Sequence, residues 1–124
     1  MTLYFSPSHQ WLRLDTATTA TVGITAYAQD TLGDVVFVDL PAPGRHLARD
    51  EVAGAVESVK TAADVYSPVS GEVLHVNETL RADPSLVNSD PMLAGWFFKI
   101  KLADASQVAS LLDEASYLTL ISSP

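Results

Sequence analysis

Val52-Ala-Gly-Ala-Val-Glu-Ser-Val-Lys60-Thr-Ala-Ala-Asp64-Val-Tyr-Ser67 decides the architecture. Val52 to Val59 is an apolar, Val-rich run that reads as a strand, and Asp64 to Ser67 opens a second one. The short polar and small-residue link between them puts Lys60 at the tip of a hairpin, clear of the packed layers. A strand Glu72 to Val76 follows, set off by Pro68 and Gly71.

Upstream, Thr18 to Ile24 is rich in Thr and Val and suits a strand. Thr25 then caps a short helix from about Ala26 to Leu32 that Gly33 closes. Val35 to Leu40 is β-branched and ends at Pro41-Ala-Pro-Gly44. Downstream, Asn77 to Pro91 reads as a loop with one helical turn. Trp96 to Leu102 is a last strand, with Lys99 and Lys101 alternating with apolar residues toward one wet face. From Asp104 the apolar residues Val108, Leu111 and Leu112 recur at helical spacing, and Asp104 with Gln107 resembles a capping box. A second helical segment follows from Asp113. The expected fold is α+β and mainly β. It is a two-layer antiparallel sandwich, with a short helix after the second strand and a C-terminal helical tail over about 104–121.

At 124 residues the chain suits one domain, 1–124, around one core. No apolar run approaches the ~20 residues that span a bilayer, and no basic, Ser-rich leader precedes the first strand. The expectation is a soluble bacterial cytoplasmic protein, monomeric by default. Fifteen acidic against seven basic residues give a formal charge of −8, which repels nucleic acids and anionic membranes. With no cysteine, any sulfur chemistry must come from an attached group. There is no phosphate loop, dinucleotide fingerprint or nucleophile elbow. His9, His46 and His75 lack ligand-like spacing, so each reads as a surface or turn histidine and no metal site is expected. No catalytic apparatus is visible.

Of only three lysines, Lys60 alone stands apart from a strand face. A primary amine held clear of the core is what an amide-linked swinging arm needs. The segment Glu57-Ser-Val-Lys60-Thr-Ala-Ala-Asp64-Val-Tyr-Ser-Pro-Val-Ser-Gly71-Glu-Val closely resembles the lipoylation hairpin of glycine cleavage H proteins. That family places a glutamate three residues before the modified lysine and a glycine eleven after it, and Glu57 and Gly71 match. Tyr4 to Trp11 (YFSPSHQW) resembles the family's YSPSHEW. Gly23 to Gln29 and Leu32 to Pro41 resemble GITDYAQ and LGDVVFVELP, and Val87 to Pro91 and Gly95 to Lys101 resemble VNSDP and GWxxKIK. In order and in spacing, these blocks are highly specific.

The resemblance implies a lipoyl/biotinyl-carrier-like barrel-sandwich hybrid whose hairpin, about 52–67, carries lipoate as an amide on Lys60. It also implies Glu57 and Gly71 as marks for a lipoate-attaching enzyme. Three partners are implied: a pyridoxal-phosphate P protein that decarboxylates glycine, a T protein that passes the one-carbon unit to tetrahydrofolate, and a flavin-dependent L protein that reoxidises the arm. The loaded arm is expected to fold against Ser8, Gln10, Thr31 and Asp64. Gln10 departs from the family's usual glutamate and Ala26 from a common aspartate, which predicts weaker retention of the aminomethyl cargo. The alternatives are a lipoyl-relay protein, a lipoyl domain of a 2-oxoacid dehydrogenase, a biotin carrier, or a noncatalytic interaction domain. The dehydrogenase domain typically has Asp before its lysine, and the biotin carrier has methionines flanking it, whereas Val59 and Thr61 flank Lys60.

Overall fold

The computed structural model describes residues 3–122. Among these residues nine strands form two antiparallel sheets. The larger is built from β1 (Leu3–Phe5), β2 (Gln10–Leu14), β3 (Thr19–Ile24), β9 (Phe98–Leu102), β8 (Gly71–Val76) and β5 (His46–Leu47), in that order. The smaller is β4 (Val35–Asp39), β6 (Val52–Ser58) and β7 (Ala62–Tyr66). Side chains along a strand point alternately to the two faces of its sheet. Leu12, Val22, Val73, Phe98 and Ile100 from the larger sheet share one buried cluster with Val38, Val56 and Val65 from the smaller. The expected sandwich is therefore present, and the hairpin of β6 and β7 forms part of its smaller layer.

The short helix, α1 (Ala26–Leu32), is present with the expected ends. Thr25 Oγ1 accepts from the Ala28 amide, and Gly33 leaves the helix at φ 79°. It follows the third strand rather than the second, because Leu3–Phe5 is itself a strand that pairs with β2. The loop after β8 contains two single turns, α2 (Thr79–Ala82) and α3 (Leu86–Ser89), where one was expected.

The tail holds the two expected helical segments, α4 (Ser106–Ala109) and α5 (Glu114–Ser122), but α4 stops short of Leu111 and Leu112, which the helical spacing places within it. Between them Leu112 exchanges two backbone hydrogen bonds of 2.8 Å with Phe5, so the chain is extended there. Asp104 and Gln107 do not close a capping box. Asp104 Oδ1 accepts from the Ser106 amide and hydroxyl, whereas Gln107 reaches across to Ser70, accepting from its amide at 2.7 Å. α5 packs Tyr117 against Phe5, with the rings stacked at 4.6 Å beside buried Trp11. Among the described residues no helix is long and apolar enough to cross a membrane.

Gly71 is buried in the larger sheet, where a Cβ would lie 2.2 Å from the Lys101 carbonyl oxygen and 2.8 Å from Ile100 Cγ1. The glycine is therefore required by packing, whatever part it has as a mark for a modifying enzyme. Gly71→Ala should cost roughly 1–3 kcal/mol through overpacking, read as a lower urea midpoint, while the folded fraction keeps its acylation kinetics at Lys60. An unchanged midpoint would contradict this.

Candidate functional site

The turn from β6 to β7 is closed by its own groups. The Ser58 amide donates to the Thr61 carbonyl at 2.7 Å, and the Ser58 hydroxyl accepts from the Lys60 and Thr61 amides at 3.3 and 3.1 Å. The Val59 amide donates to the Asp34 carbonyl at 3.0 Å, which moors the turn to the loop between α1 and β4. That loop is itself held by Asn88, which the sequence reading did not single out. Its Oδ1 accepts from the Val35 amide at 2.8 Å, and its Nδ2 donates to the Gly33 carbonyl at 2.8 Å and to Gln29 Oε1 at 3.0 Å.

Lys60 sits on this apex and is exposed. Its Nζ makes no ion pair and no hydrogen bond among the described residues. The methylene stem lies over Gly33, where a Cβ would approach Cε to 3.0 Å, so the glycine leaves room for the stem. Glu57 is exposed and pairs across the sheet with Phe37 and Ala62.

Beside the hairpin is a cleft of about 290 Å³. All four expected residues, Ser8, Gln10, Thr31 and Asp64, line it. Ile24, Leu32, Val56 and Val65 supply much of its apolar wall. The polar groups are not equivalent. Asp64 is exposed at the rim, and its carboxylate makes no ion pair among the described residues. Thr31 donates its hydroxyl to the Tyr27 carbonyl at 3.0 Å and keeps lone pairs to accept with.

Gln10 is the buried member of the four. It is 2% exposed, and its Oε1 already accepts from the Ser6 and Ser8 hydroxyls at 2.7 and 2.6 Å. Its Nε2 donates to the Ser8 carbonyl at 2.9 Å. Both lone pairs of the oxygen are in use, so Gln10 braces the β1–β2 turn, and Asp64 is the one anionic group in the lining.

His9 is the wall residue that sequence reading missed. It adopts φ 74°, lines the cleft, and lies against Tyr27 with ring centroids 4.8 Å apart. Its Nδ1 shares a 2.8 Å hydrogen bond with the Tyr117 hydroxyl, which in turn lies 2.7 Å from Thr25 Oγ1. Burial lowers the His9 pKa from 6.5 and raises that of Tyr117 above 10. Both rings are neutral near pH 7, so this wall does not repel a cationic guest. The arrangement suits an extended apolar chain that ends in a protonated amine, tethered at Lys60. Among the described residues no group of three or more acidic or histidine side chains is placed to hold a metal ion.

The family model "Glycine cleavage H-protein" matches residues 3–123. A glycine cleavage system H protein of Chromobacterium violaceum is 58% identical over 115 residues, covering 93% of this chain and 90% of that protein. One from Bradyrhizobium diazoefficiens is 58% identical over 116 residues, covering 94% and 93%. The crystal structure of a glycine cleavage system H protein from Mycobacterium marinum superposes with a TM-score of 0.89 at 32% identity, covering 98% of this chain and 97% of that one.

The His9 environment predicts a pH dependence. Its folded pKa lies below the unfolded value, so its contribution to stability is present above about pH 6.5 and is lost as pH falls through the folded pKa. The His9 ring protons should titrate with a midpoint below 6.5 in NMR, and His9→Asn should remove this component of the acid-side fall in urea midpoint. A midpoint at or above 6.5 would contradict the neutral wall.

Proposed function

The chain belongs to the glycine cleavage H-protein family, and on that premise we propose that it carries lipoate as an amide on Lys60. It is the lipoyl carrier of the glycine cleavage system, shuttling the aminomethyl intermediate of glycine decarboxylation. Its partners on this reading are the P protein, the T protein, the L protein and a lipoate-attaching enzyme, met in the cytoplasm. The observation that carries the attachment site is an exposed, unpaired amine on a braced turn at the edge of an apolar cleft.

When attached, the lipoyl group supplies a disulfide that accepts the aminomethyl group and, on its release, a dithiol to be reoxidised. The residues of the chain do the rest. Acylation removes the positive charge of Lys60, so the stem can lie over Gly33 and enter the cleft without burying a cation. Ile24, Leu32, Val56 and Val65 exclude water along the arm. The Asp64 carboxylate and the hydroxyls of Ser8 and Thr31 accept from the protonated amine of the cargo. Neutral His9 adds no opposing charge. Tethering holds the arm near each partner at high effective concentration. Glu57, exposed and three residues before Lys60, is the anionic mark for the attaching enzyme.

In a strain lacking its own carrier and dependent on glycine cleavage for growth, the wild-type chain should restore growth and Lys60→Arg should not. Growth with Lys60→Arg would contradict the attachment site. Growth failure with a fully lipoylated wild type would favour the relay function instead. The geometry of Gln10 gives a second outcome. In Gln10→Glu the serine hydroxyls still donate, but the second carboxylate oxygen meets the Ser8 carbonyl at about the 2.9 Å now spanned by Nε2. A cationic amine bridges such a pair. A hydrogen bond to a charged group exceeds a neutral one by about 1 kcal/mol. Spontaneous loss of the cargo should therefore slow by roughly fivefold. An unchanged rate of loss would exclude this position from the cargo site.

A further inference from the structure

The smaller sheet carries an irregularity next to Lys60. Val35 pairs with Ser58 and Phe37 with Glu57, so Val36 is an extra residue on β4 with no partner opposite it. A bulge of this kind rotates the strand locally, so consecutive side chains need not alternate between faces. Val36 is 55% exposed and Phe37 51%. Val59, which is 69% exposed and tied through its amide to Asp34, adds a third large apolar side chain.

Asp34, Asp39 and Glu57 are exposed and neighbour these residues along the chain or across the sheet. Asp39 pairs with Ala55 on the same sheet, two positions from Glu57. None of the three carboxylates forms an ion pair among the described residues. Free carboxylates around an apolar centre have the layout of an interface with a basic partner.

Position selects that partner. An enzyme that acylates Lys60 must bring its activated acyl carbon to within bonding distance of Nζ, so the hairpin apex lies inside its interface. Enzymes that act at the far end of an attached arm need not approach so closely. We propose that Val36, Phe37 and Val59 form the apolar centre, and Asp34, Asp39 and Glu57 the acidic rim, of the docking surface for the lipoate-attaching enzyme. Its complementary face presents an apolar depression rimmed by Arg or Lys. This rests on Lys60 being the acylated residue. In the step served, Nζ loses a proton and attacks the carbonyl carbon of an activated acyl donor such as a lipoyl adenylate. A C–N bond forms, the C–O bond to the activating phosphate breaks, and the phosphate leaves with the electron pair.

Initial rates of acylation, with lipoate, ATP and a lipoate–protein ligase, are measured against the concentration of the unmodified full chain. The double variant Val36→Thr, Phe37→Thr keeps residues that favour strands but removes the apolar centre. Its KM should rise about tenfold with kcat within about twofold, as for truncated interface anchors. Asp39→Lys should raise KM at low ionic strength, with the difference closing as salt is added. Leu93→Ser, at a residue 63% exposed in the turn between α3 and β9, should change nothing. Urea midpoints confirm that each variant is folded, and Asp39→Lys carries the test should the double variant not fold. An unchanged KM in the folded double variant, or an equal rise in Leu93→Ser, overturns the docking surface. A wild-type chain acylated elsewhere than Lys60 overturns the attachment site, and the docking surface with it.

Discussion

Ser58 closes the hairpin turn through Thr61, and Val59 moors it to Asp34, while the ammonium of Lys60 is bonded to nothing among the described residues. A carrier arm needs both conditions. A loose turn would smear the position of the arm, and a paired amine would have to be freed before each acylation. Here the constraint falls wholly on the backbone. Asn88 extends it by fastening α1, the following loop and β4 with three hydrogen bonds from one side chain. The hydrogen-bonded part of the site thus ends at the backbone of Lys60, and its amine is left unbonded among the described residues.

The cleft beside it offers few free polar groups. Gln10 is buried yet satisfied by its own turn, and His9 is kept neutral by burial while bonded to Tyr117. Asp64 remains the one anionic group in the lining, at the rim where water can still screen it. A buried carboxylate would bind a cationic guest more tightly but would carry a desolvation cost whenever the cleft is empty. Gln10 removes that cost at the expense of one charged contact. α5 acts on the wall indirectly, through the bond from Tyr117 to His9, so the far C-terminal segment supports a site built from the β1–β2 turn, β2, β3, α1, β6 and β7.

The features legible in the sequence are those fixed over a few residues. The hairpin and its apex follow from the apolar runs on either side of Lys60. The limits of α1 follow from the Thr25 cap and the Gly33 turn. What was not legible depends on contacts between distant parts of the chain. The end of α4 at Ala109, short of Leu111 and Leu112, goes with Leu112 pairing with Phe5. The diversion of Gln107 to Ser70 spans 37 residues, and the bond from His9 to Tyr117 spans 108. The role of Gln10 escaped for a different reason. Its partners Ser6 and Ser8 are close in sequence, but a residue pattern does not report that both hydroxyls turn inward onto one amide oxygen.

The central claim is that the free amine on the braced turn is where the prosthetic group is attached. Tandem mass spectrometry of the peptide spanning the hairpin, from protein produced in lipoate-supplied cells with a competent attaching enzyme, tests it most directly. The account predicts one lipoyl group, located on Lys60, with Lys99 and Lys101 unmodified. An unmodified Lys60, or a lipoyl group found on either strand lysine, would contradict it.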